Sequence, residues 1–352
     1  MALESPPEPY SLFQHQHLAP LIHLLQPHLI NALPLYSTLL PPGTDAPVWA
    51  SFPPPEMGKQ VTPPSLEKPF VILADLGNQL RFFCSYETEQ NLSQGEDKDA
   101  EELLVGSLRW YLRNHSQGRN DIRIGAIPDM WTDAIARSFS TPFYPCNIHY
   151  QLLPGSTDSE SNDPSASPTV PLREGIVAVS AEEGHTDQVL STSDVPHLAS
   201  YILTRLPYTS AFIQSPSVPF PSSAAYTSSN SSPPLSSQTK PPELIAHCIT
   251  HRDGSLGTVF VNSSLRSLGI GAQLLQHRMR EMAASPLPVA GDVRGAPRYA
   301  YCYVSPGNEK SKGLMRKVGM EVTGWCVSWA VVELPPREEL EVAGLSLPGV
   351  CG

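Results

Sequence analysis

A chain of 352 residues exceeds the roughly 100–200 usual for one domain, so two domains joined by linkers are expected. Apolar residues make up 40%, below the globular average of about 45–50%, and the 38 prolines point to folded domains interrupted by open segments. The formal charge of −11 argues against nucleic acid or an anionic membrane as the main partner, because holding phosphates requires a basic surface.

In chain order, an apolar helix is expected near Leu18 to Leu25, then strands in FVILAD (70–75) and LRFFCSY (80–86), and a helix from Glu101 to Arg113. DIRIGAI (121–127) predicts a strand, PDMWTDAIARSF (128–139) a helix with Pro near its start, and NIHYQLL (147–153) another strand. Beyond a Ser/Pro/Asn-rich stretch at 155–169, GIVAVSA (175–181) is a strand. Asp194 is a plausible N-cap for a helix that carries Pro196 in its first turn and runs to Leu206, and SAFIQ (210–214) follows as a short strand. The stretch 215–242 is too rich in Ser and Pro to bury a core. ELIAHCITH and SLGTVFVN are then two β-rich runs joined at Asp253-Gly254, a strong hairpin signal. Next, LGIGAQLLQHRMREMAA places Leu268, Ala272, Leu275 and Met279 at helical spacing. A strand at 298–304, a helix from Asn308 to Val318 and a strand at 321–334 complete a ββαβαβ order.

Six cysteines without C-x-x-C spacing suggest reduced thiols rather than a zinc site or a disulfide framework. No apolar run approaches the ~18 residues of a membrane helix, and the first residues lack the order of a signal peptide, so a cytoplasmic location is expected.

The chemistry concentrates at Arg266-Ser267-Leu268-Gly269-Ile270-Gly271, an R-x-x-G-x-G run directly after a strand and opening a helix. Such a turn aims backbone N–H groups at one point, and the helix N-terminus adds partial positive charge, so it can hold a pyrophosphate. The same two glycines could merely make a tight turn. A dinucleotide fold would require G-x-G-x-x-G, and a P-loop Gly-Lys-Ser or Gly-Lys-Thr; neither is present.

From Glu243 to Leu334 the sequence resembles the GNAT acyltransferase superfamily, and within it the glycine N-acyltransferase-like group. The hairpin HRDGSLGTVFV, the run SSLRSLGIG, the strand AYCYVSPGNE, the helix before Val318-Gly319-Met320 and the closing GWCVSW carry that resemblance. LLQPHLINALPLYSTL, Val48 to Phe52 and PFVILAD resemble the group's N-terminal companion domain. The resemblance implies an α/β fold of two GNAT-like halves, with mixed, mostly antiparallel sheets and flanking helices. It implies acyl-CoA, acetyl-CoA above all, as co-substrate of a direct N-acyl transfer to a small amine or amino acid. By analogy the amides of Ser267, Leu268, Gly269, Ile270, Gly271 and Ala272 hold the pyrophosphate, Arg266 anchors the turn, Asn308 contacts pantetheine or phosphate, and amides at Val259, Phe260 and Val261 polarise the thioester. The implied organisation is a companion domain at 1–154, a flexible linker at 155–170 and a middle segment at 171–214 packing with the C-terminal domain. A disordered insert at 215–242, the acyl-CoA-binding domain at 243–335 and a tail at 336–352 complete it.

Two departures touch catalysis. Ser255 stands where the resembling enzymes carry a candidate base Glu, and Met315 where many place a Tyr acid. His247 and His251 are the substitute bases, each also readable as an ordinary packed or hairpin histidine. Tyr301 and Tyr303 could donate a proton to the leaving thiolate, or simply wall the groove. Cys248 faces away from both histidines on an alternating strand, so no metal site is expected. The rival function is a GNAT-fold binding or regulatory module with impaired catalysis.

Overall fold

The computed structural model describes residues 10–40, 46–55, 69–77, 79–88, 94–115, 119–154, 172–193, 195–215, 242–285 and 296–333. The expected linker at 155–170, all but the ends of the insert at 215–242, the tail at 336–352 and Asp194 lie outside these residues. The first half runs β1 (Phe13–His15), α1 (Ala19–Leu25), α2 (Leu33–Leu39), β2 (Val48–Ala50), β3 (Val71–Asp75), β4 (Gln79–Cys84), α3 (Gln94–His115), β5 (Asp121–Pro128), α4 (Asp129–Phe139) and β6 (Phe143–Leu152). The second half repeats that order. It has β7 (Ile176–Ser180), α5 (Thr186–Ser191), α6 (Ala199–Arg205), β8 (Thr209–Gln214), β9 (Leu244–Thr250), β10 (Leu256–Val261), α7 (Ile270–Ala284), β11 (Tyr299–Val304), α8 (Glu309–Lys317) and β12 (Glu321–Glu333). This is the expected α/β architecture of two halves, with one mixed and one antiparallel sheet and helices flanking both.

The larger sheet has the order β1-β2-β3-β4-β5-β12-β6-β11, and the smaller one β10-β9-β8-β7. The last strands of the halves are exchanged. β12 lies between β5 and β6, and β6 pairs with β11 from Tyr299↔Leu152 to Val304↔Asn147. Each half therefore completes its sheet with the other half's strand. The Val- and Trp-rich β12 can serve this role because its inward positions, among them Val327, Ala330 and Val332, are almost fully buried.

Helices cover both faces. α3 and α4 pack Leu104, Leu108, Tyr111, Trp131 and Ile135 on one face of the large sheet, and α1 and α2 cover the other with Leu21, Leu25, Leu35 and Tyr36. In the second half, α7 covers one face of the small sheet with Ile270, Leu274 and Leu275, while α5 and α6 cover the opposite one with Val189 and Ile202. Burying each apolar stripe against a sheet is what stabilises these helices, most of which are too short to persist alone.

Two expectations shift. The helix placed from Asp194 begins at Ala199, and its N-cap residue Leu198 is extended. Pro196 accounts for part of this, since proline pushes the residue before it out of the helical region. Leu268 lies outside α7 and is 39% exposed, because Gly269 turns left-handed at φ +83° before the helix starts. The short helices α2 and α5 have too few residues to show a period. In the β9–β10 hairpin the Gly254 backbone is left-handed at φ +84°, as a Asp-Gly turn demands.

Candidate functional site

β10 and β11 end up in different sheets: β10 edges the small one and β11 the large one. Between them the molecule is splayed open. In the first half the equivalent strands, β4 and β5, do pair, in parallel, through Gln79↔Arg123 and Leu80↔Ile124. Only the second half keeps the gap.

β10 also breaks its own ladder. The pairing with β9 passes from Gly257↔Ile249 to Phe260↔His247, so Thr258 and Val259 together oppose Cys248, and Thr258 adopts φ +49°. A bulge of this kind turns backbone groups out of the sheet. Val259, within the bulge, and Phe260 and Val261 after it are part-exposed.

The loop from β10 to α7 is built to leave amides bare. Asn262 accepts from the Ser264 amide at 3.1 Å, and Arg266 Nε donates to the Val261 carbonyl at 3.1 Å, which ties the loop to the strand. Ser267 and Gly269 are both left-handed, at φ +66° and +83°. Nothing lies within 4 Å of a Cβ built on Gly269, and one on Gly271 would meet only Val261 and Leu314 at 3.5–3.6 Å. The two left-handed residues bend the chain just ahead of a 15-residue helix, whose first N–H groups have no partner within it. Ile270 and Ala272 point into the core and fix the turn from below. Across the gap, Asn308 caps α8 by accepting from the Ser311 amide at 3.0 Å. The residues present suit a pyrophosphate carried on a thin arm.

The four proton-transfer candidates are distributed unequally. His247 is fully buried, stacked on Phe260 at 5.3 Å between ring centroids and touching Thr192 Oγ1 at 3.5 Å; burial lowers its pKa to about 4. His251, at the end of the same hairpin arm, lies on the α6 side, with Nδ1 paired to Tyr201 Oη at 2.8 Å and the ring sandwiched near His197. Its Nε2 sits against Gly257, so closely that a Cβ there would come within 2.2 Å. The imidazole thus lies on the strand residue that precedes the bulge. Burial first, with help from nearby His197, Arg205 and Arg81, brings its pKa to about 4 as well, against the opposing pull of Asp253.

Tyr301 and Tyr303 point the other way, into the joint between the halves. Tyr301 donates its hydroxyl proton to the Asp253 carbonyl at 2.7 Å, and Tyr303 Oη lies 3.5 Å from Asp253 Oδ2. Burial raises both phenols well above their ordinary range.

Around them lies a buried network with no counterpart among the expected site residues. Arg81 of β4, 1% exposed, donates to Asp253 Oδ2 at 2.7 Å and stacks on Trp329 at 4.4 Å. Asp253 also accepts from the Ser255 amide at 3.0 Å and hydroxyl at 2.6 Å. Burial would raise the Asp253 carboxyl, but Arg81, His251 and Ser255 outweigh it and hold it below the usual range. Gly125 makes the room: a Cβ there would sit 2.1 Å from Arg81 Nη1. Ser255 therefore works as a partner of Asp253 inside the turn. An arginine inside the apolar run Leu80-Arg81-Phe82-Phe83 is the signal that sequence reading passes over. Among the described residues, no group of three or more His, Cys, Asp and Glu could hold a metal, and no helix is long and apolar enough to cross a membrane.

No family model matches the chain, and no curated protein matches it. Among solved structures it is similar to the X-ray structure of a Drosophila protein, a structural-genomics target, at 13% identity and a TM-score of 0.53, covering 93% of this chain and 99% of that one. It also aligns with a tandem GNAT protein from the clavulanic acid biosynthesis pathway, at 11% identity and TM-score 0.45 over 93% and 99% of the two chains. A third alignment is with a GCN5-related N-acetyltransferase from Sphaerobacter thermophilus, at 13% identity and TM-score 0.39 over 76% and 77%. With the Drosophila structure this chain shares the fold over nearly its whole length.

Proposed function

We propose that this protein is an acyl-CoA dependent N-acyltransferase that carries out direct transfer from acetyl-CoA or a related donor to a small amine or amino acid. The observation that carries the proposal is the conjunction, in the second half, of an open gap between β10 and β11, a bulge at Thr258–Val259 and a left-handed turn at Ser267 and Gly269 opening α7. A pyrophosphate on that turn puts the pantetheine arm in the gap and the thioester against the bulge, where backbone N–H groups polarise its carbonyl. Asn308, at the start of α8, contacts the arm from the other wall.

The amine nitrogen attacks the carbonyl carbon, the C–S bond breaks, and the amine proton passes to a base as the thiolate leaves and is protonated from solvent. Of the two histidines, His251 is the better placed, because its Nε2 lies on the strand just ahead of the bulge and Tyr201 holds its Nδ1. In the tautomer that carries its proton on Nδ1, facing Tyr201, Nε2 keeps its lone pair. A pKa near 4 keeps the ring neutral and able to accept at physiological pH, although it makes a weak base, so positioning contributes more than basicity. His247 is enclosed and serves as packing. Tyr301 and Tyr303, engaged with Asp253, hold the joint and do not reach the thiolate.

The test is coenzyme A calorimetry together with a thiol-release assay against acyl-CoA donors and amines. Gly271→Asp, which has room for the side chain but adds a negative charge beside the phosphates, should abolish binding in a folded protein. Undiminished affinity would remove the donor from this turn. Donor binding without thiol release for any amine would instead favour a binding module, the reading that Ser255 and Met315 suggest.

A further inference from the structure

On the far side of α8 a cavity of about 560 Å³ opens between β6, α8 and the start of β12. It exists because β12 leaves β6: the pairing jumps from Val322↔His149 to Cys326↔Asn147, so three residues of β12 pass Ile148 alone. Thr323 Oγ1 donates to the Trp325 carbonyl at 2.7 Å and holds that bulge out.

This cavity is separate from the donor site. Leu314 faces Gly271, since a Cβ on that glycine would touch it at 3.6 Å. Lys312 and Arg316 stand two residues to either side of Leu314, about 200° round the helix, and so look away from Gly271. Both line the cavity, together with Asn147 and His149.

His149 is only 3% exposed, yet neither of its ring nitrogens has a hydrogen-bond partner. Buried polar groups are normally paired, so an unpaired imidazole in a cavity wall asks for a ligand. The positive field of Arg316 and Lys312 adds to burial in keeping that ring uncharged. Lys312 lies 2.8 Å from Glu309, and among the described residues Arg316 has no ion-pair partner. One acid lines the cavity, Glu321, with the Tyr150 hydroxyl donating to it at 3.1 Å. Met320 and Val322 supply the apolar wall.

The geometry points to a second ligand site, one that takes a small organic anion: a carboxylate or a phosphate ester. Its charged end sits between Arg316 and Lys312 with a hydrogen bond from one His149 nitrogen, and its carbon part lies on Met320 and Val322. A bare inorganic ion would leave most of the 560 Å³ unfilled.

The experiment titrates the full chain with phenyl phosphate and, separately, with butanoate, with and without saturating coenzyme A. Calorimetry and the imidazole NMR signal that disappears in His149→Gln report binding. The expected result is saturable binding of one probe, which identifies the charged group, with a shift of that signal and equal affinity whether or not coenzyme A is present. Arg316 is exposed on α8, so Arg316→Gln keeps the fold, and it should weaken the probe about tenfold while leaving coenzyme A affinity unchanged. No saturation with either probe, an unchanged affinity in Arg316→Gln, or competition with coenzyme A overturns the inference. If coenzyme A itself fails to bind, the donor reading falls while the probe titration still decides this site.

Discussion

The two halves carry the same ten elements in the same order, yet they treat the space beside the fourth strand in opposite ways. In the second half β10 and β11 diverge, and the first N–H groups of α7 have no partner within the helix. In the first half β4 and β5 pair, and Glu87 and Trp131 fill the corresponding corner: Trp131 Nε1 and the Cys84 amide both donate to Glu87 Oε1, at 3.1 and 2.9 Å. Both are buried. One copy of the fold keeps an opening, and the other closes it with an indole and a carboxyl. A duplicated scaffold can thus divide its labour, with one half supplying a site and the other the wall against which that site is braced.

The brace gives the largest expected effect. Arg81→Met strands the buried Asp253 carboxylate and should cost about 3–5 kcal/mol, because breaking a buried ion pair leaves an uncompensated charge. Chemical denaturation measures it. A loss under about 1 kcal/mol would mean that the halves are held by strand exchange alone.

Next is the proposed base. His251→Asn should lower kcat/KM about 100-fold. Because the base must be unprotonated, the parent's rate should fall only as pH drops through about 4, leaving neutral pH to the amine's own titration. His247→Asn should change thermal stability and leave the rate nearly intact. If both variants give pH profiles that superimpose on the parent, neither histidine takes the proton.

A pH-dependent effect probes the closed half. Burial raises the Glu87 pKa to about 8, against the opposing hydrogen bonds from Cys84 and Trp131. The folded form therefore holds a proton that the unfolded chain releases above its ordinary carboxyl range, and this group makes stability fall as pH climbs from about 4.5 to about 8. Glu87→Gln removes that dependence, so its melting temperature should gain on the parent's between pH 5 and pH 8. A pH-independent difference would mean that water reaches the corner and that the first half is open there.

The smallest effect is expected at the insert. Ile213 of β8 already pairs with Leu244 of β9, so the strand ends flanking residues 216–241 are neighbours. Replacing 216–241 by a short hairpin loop should leave melting temperature and donor affinity almost unchanged. A large loss of either would show that the insert contributes to the site.

Much of this was legible from local pattern. FVILAD, DIRIGAI, the Asp253-Gly254 hairpin and the long α7 each declare themselves through period or turn chemistry, and the glycines of 269 and 271 announce the turn that opens α7. What escaped depends on contacts between residues far apart in the chain. Arg81 and Asp253 are 172 positions apart, and nothing in either neighbourhood names the other. Gly125 looks like a weak point in a strand until Arg81 is placed against it. His247 and His251 looked equivalent by spacing, and only the packing of Phe260 and the approach of Gly257 separate them. The anion cavity rests on a strand pairing across the halves that no single-strand pattern encodes.

The exchange of β6 and β12 also bears on how the chain folds. The strand that inserts beside β5 begins at Glu321, and Thr141 reaches its backbone partner Val331 across 190 residues of sequence. Until β12 is in place, the facing edges of β5 and β6 lack the strand that pairs with both. Such edges invite pairing with other chains, and closing so long a loop is slow. Arrival of β12 is then the event that closes both halves at once.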